Sequence, residues 1–162
     1  MDPAPPVYAA LDALGIRYDR HEHPAVFNAD DASRYWDPIG GTQCKNLFLR
    51  NKKGDRHYLV VLEISKRADL KDLVKVVGDD RLSFGSPERL MAELGLTPGS
   101  VSPFGLLNDP DGSVRVLIDQ DLRGADRLIF HPNINTASVV VSWADLEKFL
   151  ATRSNRVSVV AV

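Results

Sequence analysis

Gly40-Gly41-Thr42-Gln43-Cys44-Lys45-Asn46-Leu47-Phe48-Leu49-Arg50 joins a glycine turn to an apolar run that is typical of a buried strand. A lysine and an amide, Lys45 and Asn46, stand near the start of that run. Lysine is rarely buried without a partner, and binding groups often lie where a loop meets a rigid strand. The segment therefore predicts a strand that carries an anion-binding group, Lys45, near its beginning.

The bulk composition is that of an ordinary globular protein. The chain has 162 residues, of which 44% are hydrophobic and 26% charged, so we expect one domain over residues 1–162. It contains no apolar run of about 20 residues and no signal-peptide pattern, so we expect no membrane partner. A single cysteine fits a reducing compartment, and we expect a cytoplasmic location.

Apolar spacing and turn residues predict alternating helices and strands. Strands alternate with helices, but residues 51–55 also join two strands as a hairpin. We therefore expect an α+β fold with a mixed, mostly antiparallel sheet and flanking helices. The predicted helices are 3–14, 28–36, 69–77, 86–95 and 143–150. The predicted strands are 16–21, 46–50, 57–64, 114–119, 127–130 and 138–141, and residues 157–160 are either an edge strand or a frayed tail.

Four segments carry a family resemblance, and they are 44–49, 81–85, 99–105 and 130–137. Their order and spacing resemble the YbaK/ProX superfamily of aminoacyl-tRNA deacylases. The likeness is greatest to its freestanding prolyl-tRNA editing branch, which removes alanine wrongly attached to proline tRNA. The resemblance extends from about residue 11 to about residue 150. The superfamily's curved mixed sheet with flanking helices agrees with the fold that the pattern predicts.

The resemblance implies a set of catalytic residues, Lys45, Asn46 and His131. Lys45 would otherwise be a lysine whose ammonium simply reaches water. Since neighbouring strand residues point to opposite faces, Asn46 requires a bulge or has a second role. His131, before Pro132, either orients the substrate or shapes its loop.

The resemblance also implies a substrate-binding loop. Gly99 and Pro103 match the family's G-x-x-x-P loop, which grips the 3′ end of the substrate. On composition alone this segment is an ordinary connection between glycines. The expected substrate-binding residues are Phe27, Ile39, Gly99, Ser100, Val101, Ser102, Pro103 and Gly105.

The expected partner is the acceptor stem of tRNA(Pro), with prolyl-tRNA synthetase as a second candidate. The net charge of −2 argues against a general nucleic-acid coat but leaves room for a local basic patch. The candidates for that patch are Lys45, Arg50, Lys52 and Lys53. Each of them alone is more typical of a solvated face.

No cofactor or metal site is expected. His21 and His23 have a spacing that can bind metal, but no third ligand is evident. Cys44 lacks a recognisable histidine–acid setting, and no phosphate-binding or dinucleotide fingerprint is present. The resemblance implies that a hydroxyl of the terminal ribose assists proton transfer, so that no side chain has to act as general base.

The sequence thus predicts a trans-editing hydrolase acting on alanyl-tRNA(Pro). Two alternatives remain open at this level. One is a deacylase for another mischarged tRNA, cysteinyl or seryl. The other is a non-catalytic module that binds tRNA or a synthetase.

Overall fold

The computed structural model describes residues 2–162. One sheet contains eight strands, in the order β1-β7-β6-β2-β3-β5-β8, with β4 paired to β2. The strands are β1 (Asp19–Glu22), β2 (Thr42–Asn51), β3 (His57–Glu63), β4 (Leu82–Phe84), β5 (Val114–Asp119), β6 (Leu128–Phe130), β7 (Ala137–Val141) and β8 (Val157–Val160). The helices are α1 (Ala4–Ala13), α2 (Ala29–Ile39), α3 (Leu70–Val77), α4 (Pro87–Leu94) and α5 (Trp143–Ala151), and 3-10 helices cover Pro103–Asn108 and Gln120–Leu122.

The strand pairing confirms the predicted mixed sheet. β1–β7, β2–β3, β2–β4 and β6–β7 are antiparallel. β2–β6, β3–β5 and β5–β8 are parallel. Residues 157–160, which the sequence left between a strand and a tail, form the edge strand β8 beside β5.

Side-chain caps explain where several helices begin. The Asn28 side chain accepts from the Asp31 N–H at the start of α2, and Ser142 does the same for the Asp145 N–H at the start of α5. An uncapped first turn would leave these amides without partners. α2 continues through Pro38, beyond the predicted end, and stops at Gly40, whose positive φ of 76° suits glycine.

Apolar side chains fill both faces of the sheet. α1, α4 and α5 cover one face over a cluster that includes Phe104, Phe130 and Phe149. α3 packs on the opposite face through Leu73. α2 lies on that same face, where Trp36 packs with Ile129 in a smaller cluster. No helix among residues 2–162 is long and apolar enough to cross a membrane.

The neighbours of β2 determine where the sheet is incomplete. β3 pairs with β2 from Cys44 to Arg50. On the other side, β6 pairs only with Thr42 and Gln43, and β4, a strand that the sequence did not predict, pairs only from Leu49 onward. Between these two neighbours one edge of β2 has no partner strand. We call residues 44–47 on that side the open edge.

Candidate active site

Hydrogen bonds at the two ends of β2 show which of its residues face the open edge. Asn51 N–H donates to Arg56 O (3.1 Å) and Gln43 O accepts from Ile64 N–H (2.9 Å), so odd-numbered residues bond to the β3 side. The even-numbered Phe48 accepts from Gly85 N–H (2.9 Å) on the opposite side. Because backbone groups alternate along an antiparallel strand, the amide groups of Asn46 face the open edge.

A cavity of about 230 Å³ lies at the open edge. It collects Lys45 and Asn46 from β2, His131 from the loop after β6, and Gly99 and Val101 from the predicted substrate loop. The remaining lining residues are Val26, Phe27, Asn28, Ala29, Ala32, Trp36, Cys44 and Ile64. The structure therefore brings the three predicted catalytic residues to one site.

Lys45 and Asn46 both line this cavity although β2 contains no bulge. The β2–β3 register is continuous from Cys44 to Arg50, so the two side chains do point to opposite faces. The cavity reaches both because it lies at a strand edge. The bulge is therefore absent, and the other alternative, a second role for Asn46, stays a prediction.

Lys45 supplies the positive charge of the cavity. Its side chain is half-buried, and no carboxylate of the described chain lies within ion-pair distance of its ammonium. The cation is therefore available to an anionic or carbonyl oxygen of a ligand.

His131 presents a neutral nitrogen to the cavity. Its Nδ1 lies 3.0 Å from Ala137 O, and since a carbonyl oxygen only accepts, the proton sits on Nδ1. Burial lowers the pKa of His131 below its usual value, so the ring is neutral at neutral pH. Nε2 then carries a lone pair that can accept a hydrogen bond. The residue shapes its loop and also faces the cavity.

A buried hydrogen-bond chain fixes α2 against the sheet. Trp36 Nε1 donates to Ser138 Oγ (2.6 Å), and Ser138 Oγ also lies 2.7 Å from His23 Nε2. His23 Nδ1 lies 2.8 Å from Pro24 O and so holds the proton, which leaves Nε2 to accept from the Ser138 hydroxyl. His23 is therefore part of this hydrogen-bond chain. Residues 2–162 contain no group of three metal-ligating side chains.

Only part of the predicted substrate loop reaches the cavity. Ser102 Oγ donates to Asn133 Oδ1 (2.7 Å) and accepts from Phe104 N–H (3.0 Å), so it supports the loop from behind. A Cβ on Gly105 would lie 2.6 Å from Leu96. Ser100, Pro103 and Gly105 are buried and do not line the cavity. Ile39 also lies outside it, against the α2 cluster.

Three of the four residues predicted for the basic patch, Arg50, Lys52 and Lys53, lie at the far end of the β2–β3 hairpin, whereas Lys45 lies at the cavity. At about 3.3 Å per residue, the end of β2 is roughly 20 Å from Lys45. Arg50 donates to Asn51 O (3.1 Å) and Lys52 O (3.0 Å), and Lys53 lies 3.8 Å from Asp55. Arg50 and Lys53 therefore already contact groups within the hairpin.

Two further features are excluded as the reactive centre. Burial raises the pKa of the Cys44 thiol, so no thiolate nucleophile forms at neutral pH. A larger surface cavity of about 660 Å³ lies beside α1 and is lined by three carboxylates, Asp2, Asp12 and Glu22, and by Arg20, which pairs with Glu22 (3.1 Å). This excess of carboxylates disfavours a phosphate-bearing ligand.

The predicted site residues did not include seven that line the cavity, namely Val26, Asn28, Ala29, Ala32, Trp36, Cys44 and Ile64. Ala32 and Trp36 stand four residues apart on α2, the spacing of one helix face, and that was the available signal.

Comparison with known proteins identifies the family. A family model described as an aminoacyl-tRNA editing domain matches residues 23–149. Prolyl-tRNA editing protein ProX from Acetoanaerobium sticklandii is 43% identical over 155 residues, which cover 96% of this chain and 94% of that protein. Prolyl-tRNA synthetase associated domain-containing protein 1 from Mus musculus is 32% identical over 144 residues, covering 86% of this chain and 85% of that protein.

Solved structures show the same fold. The crystal structure of a candidate trans-editing enzyme for prolyl tRNA synthetase superposes with a TM-score of 0.75 at 23% identity, covering 100% of this chain and 98% of that one. At this identity the match is evidence for the fold alone. With the family model over most of its length, the chain belongs to the aminoacyl-tRNA editing domain family and is an aminoacyl-tRNA deacylase, an enzyme that hydrolyses the ester between an amino acid and tRNA.

Proposed function

We propose that the chain acts in trans on mischarged alanyl-tRNA(Pro) and releases alanine. The observation that carries this proposal is a small cavity with apolar walls and one cation, Lys45, at an open strand edge. Its volume of about 230 Å³ lies below the roughly 300–1,000 Å³ of ordinary ligand pockets. It therefore suits one small aminoacyl group, with the rest of the tRNA outside.

The walls of the cavity favour a methyl side chain over a proline ring. Val26, Ala32 and Trp36 are buried and packed against one another, and close-packed walls accommodate extra atoms only at a cost. An apolar pocket discriminates less well against a similar side chain with an added hydroxyl. We therefore expect prolyl esters to resist hydrolysis and seryl esters to react slowly.

The chemistry requires a polarised ester carbonyl and a placed water. Water attacks the carbonyl carbon, the bond to the ribose oxygen breaks, and that oxygen leaves with a proton. Lys45 stabilises negative charge, either on the carbonyl oxygen or on the terminal phosphate. His131 Nε2 accepts a hydrogen bond from the α-ammonium or from a ribose hydroxyl. The vicinal ribose hydroxyl assists the proton transfer.

The acceptor stem of tRNA(Pro) is the proposed partner. Arg50, Lys52 and Lys53 provide the cationic end of the hairpin, and phosphate contacts of this kind position RNA without reading its bases. Relatives named for an association with prolyl-tRNA synthetase support that enzyme as a second partner.

One assay tests the substrate. Alanyl, seryl, cysteinyl and prolyl esters are prepared on the same tRNA(Pro), so that RNA recognition is held constant, and single-turnover rates are compared. The proposal predicts that the alanyl ester is hydrolysed fastest and the prolyl ester slowest. Faster cleavage of the cysteinyl or seryl ester would assign the chain to another mischarged tRNA. Binding of all four without hydrolysis would indicate a non-catalytic module.

A further inference from the structure

The open edge of β2 presents backbone groups without partners, among them the carbonyl of Cys44 and the N–H of Asn46. Lys45 and Leu47 bond to β3, whereas the groups of Cys44 and Asn46 face the other way. No neighbouring strand pairs with β2 on that side at Cys44 or Asn46, and within residues 2–162 no loop residue accepts from Asn46 N–H or donates to Cys44 O. Buried backbone groups are almost always paired in native proteins, so an unpaired donor and acceptor at a cavity wall suggest a ligand.

The unpaired groups have the pattern that a parallel strand would satisfy. In a parallel ladder, one residue donates its N–H to the carbonyl of residue i and accepts at its own C=O from the N–H of residue i+2. β6 supplies such residues as far as Gln43, which pairs with Ile129, and then ends at Phe130. The next position of this ladder, beside Lys45, is therefore empty within residues 2–162.

An aminoacyl ester has the groups that this position requires. Its α-ammonium is a donor and its carbonyl oxygen is an acceptor, separated as in any amino-acid residue. We propose that the aminoacyl group binds as one added residue of a parallel strand, with its α-ammonium donating to Cys44 O and Asn46 N–H donating to the ester carbonyl oxygen. This inference rests on the proposed deacylase function and adds the substrate-binding atoms of the main chain.

The proposed register places the substrate side chain correctly. A parallel residue between Cys44 and Asn46 pairs with Lys45, so an L-residue directs its side chain to the same sheet face as Lys45. Ile129 and Ile64 belong to that face by their pairing with Gln43, and α2 covers it through Trp36. The alanine methyl group therefore points into the apolar wall.

The register also fixes the direction in which the bound tRNA extends from the cavity. A parallel residue continues toward the end of β2, so the ester oxygen and ribose point toward Phe48 and the hairpin. Arg50, Lys52 and Lys53 lie in that direction. The same backbone donor, Asn46 N–H, then stabilises the carbonyl oxygen as negative charge develops on it during attack.

Hydrogen exchange of the β2 amides tests the free protein. Lys45 and Leu47 should exchange slowly because they bond to β3, and Asn46 between them should exchange fast. A non-hydrolysable analogue, an RNA minihelix of the tRNA(Pro) acceptor stem with alanine joined to its 3′ end through an amide, should slow Asn46 exchange by about tenfold. Lys45 and Leu47 serve as internal controls. Unchanged Asn46 exchange with the analogue bound would overturn the proposal.

Two variants test the same hydrogen bond in catalysis. Asn46→Ala removes the side chain and keeps the N–H, whereas Asn46→Pro removes both. Proline is tolerated where its missing N–H faces an unpaired edge, and thermal unfolding checks that the variant folds. Relative to Asn46→Ala, we expect Asn46→Pro to lower kcat by about 10²–10³.

The outcomes separate this inference from the proposed function. If the wild-type chain hydrolyses none of the four esters on tRNA(Pro), the proposed function fails. If it hydrolyses alanyl-tRNA(Pro) and the two Asn46 variants have equal kcat, only the inference fails. If Asn46→Pro does not fold, the exchange measurement on the wild-type chain decides alone.

Discussion

Ser138→Ala is the sharpest test of how the cavity wall is held. Ser138 is fully buried, and its hydroxyl links Trp36 on α2 to His23 on the sheet side. Alanine fits the same space but leaves the Trp36 indole N–H without an acceptor. We therefore expect a loss of stability and a loosened α2.

The magnitude follows from the two broken hydrogen bonds. Trp36 is only 3% exposed, so its orphaned N–H cannot reach water, and such a group costs about 1–3 kcal/mol. His23 is half-buried and can find water, so it adds little. We expect a total of about 2 kcal/mol, which corresponds to a fall in Tm of about 4–8 °C for a chain of this size.

A double-mutant cycle with thermal unfolding measures this effect. Trp36→Phe removes the indole N–H that Ser138→Ala would leave without an acceptor. In that background Ser138→Ala should therefore lower the free energy of unfolding by less. Ser33→Ala, on the same helix, removes a bond to the Ala29 carbonyl (3.1 Å) and serves as the matched control, with an expected change within about 0.5 kcal/mol.

The same variants test the role of the wall in specificity. Because α2 carries the residues proposed to exclude proline, Ser138→Ala should raise prolyl-ester hydrolysis relative to alanyl-ester hydrolysis, and Ser33→Ala should not. If Ser138→Ala lowers Tm no more than Ser33→Ala, or equally in both backgrounds, the hydrogen-bond chain does not hold the wall.

Three further outcomes are expected. Lys45→Ala should lower the single-turnover rate by about 10²–10³ with the fold intact; a near-normal rate would refute the role of this cation, and a change in KM alone would assign it to phosphate binding. Neutralising Lys52 and Lys53 together should make the slope of log K for tRNA binding against log salt concentration shallower by roughly one to two units. The rate of hydrolysis at saturating tRNA should not change. An unchanged slope would exclude the hairpin as the docking surface. Burial lowers the pKa of His57 and His131, so the unfolded chain binds more protons than the folded chain below about pH 6.5. The free energy of unfolding should therefore fall as the pH decreases through that value. Calorimetry of a double variant, His57→Gln with His131→Gln, should show a weaker pH dependence of Tm.

Local signals in the sequence were sufficient for most elements. Caps such as Asn28 and Ser142 act within one turn of the helix that they start, so their effect can be read from adjacent residues. β4 was missed because its three residues are too few for a period to show and, unlike those of the equally short β6, are not all apolar. The 3-10 helix at Pro103–Asn108 was missed because its residues were interpreted as a glycine-bounded loop.

The site was predicted in its residues but not in its shape. The family resemblance selected Lys45, Asn46, His131 and the loop that begins at Gly99, and the structure brings these to one cavity. It did not indicate that Ile39 lies outside that cavity or that Trp36 forms its wall. Those positions depend on how α2 packs across the sheet.

The sequence by itself determined the helices, the hairpin, the β2 segment and the residue types available for chemistry, because each depends on neighbours within a few positions. Only the tertiary structure decided that β6 ends at Phe130 and that β4 begins opposite Asn51, which leaves the middle of β2 without a partner on one side. Strand neighbours come from distant parts of the chain, and their meeting depends on packing of the whole sheet. That packing converts Lys45 and Asn46 from two residues on opposite faces into two walls of one site.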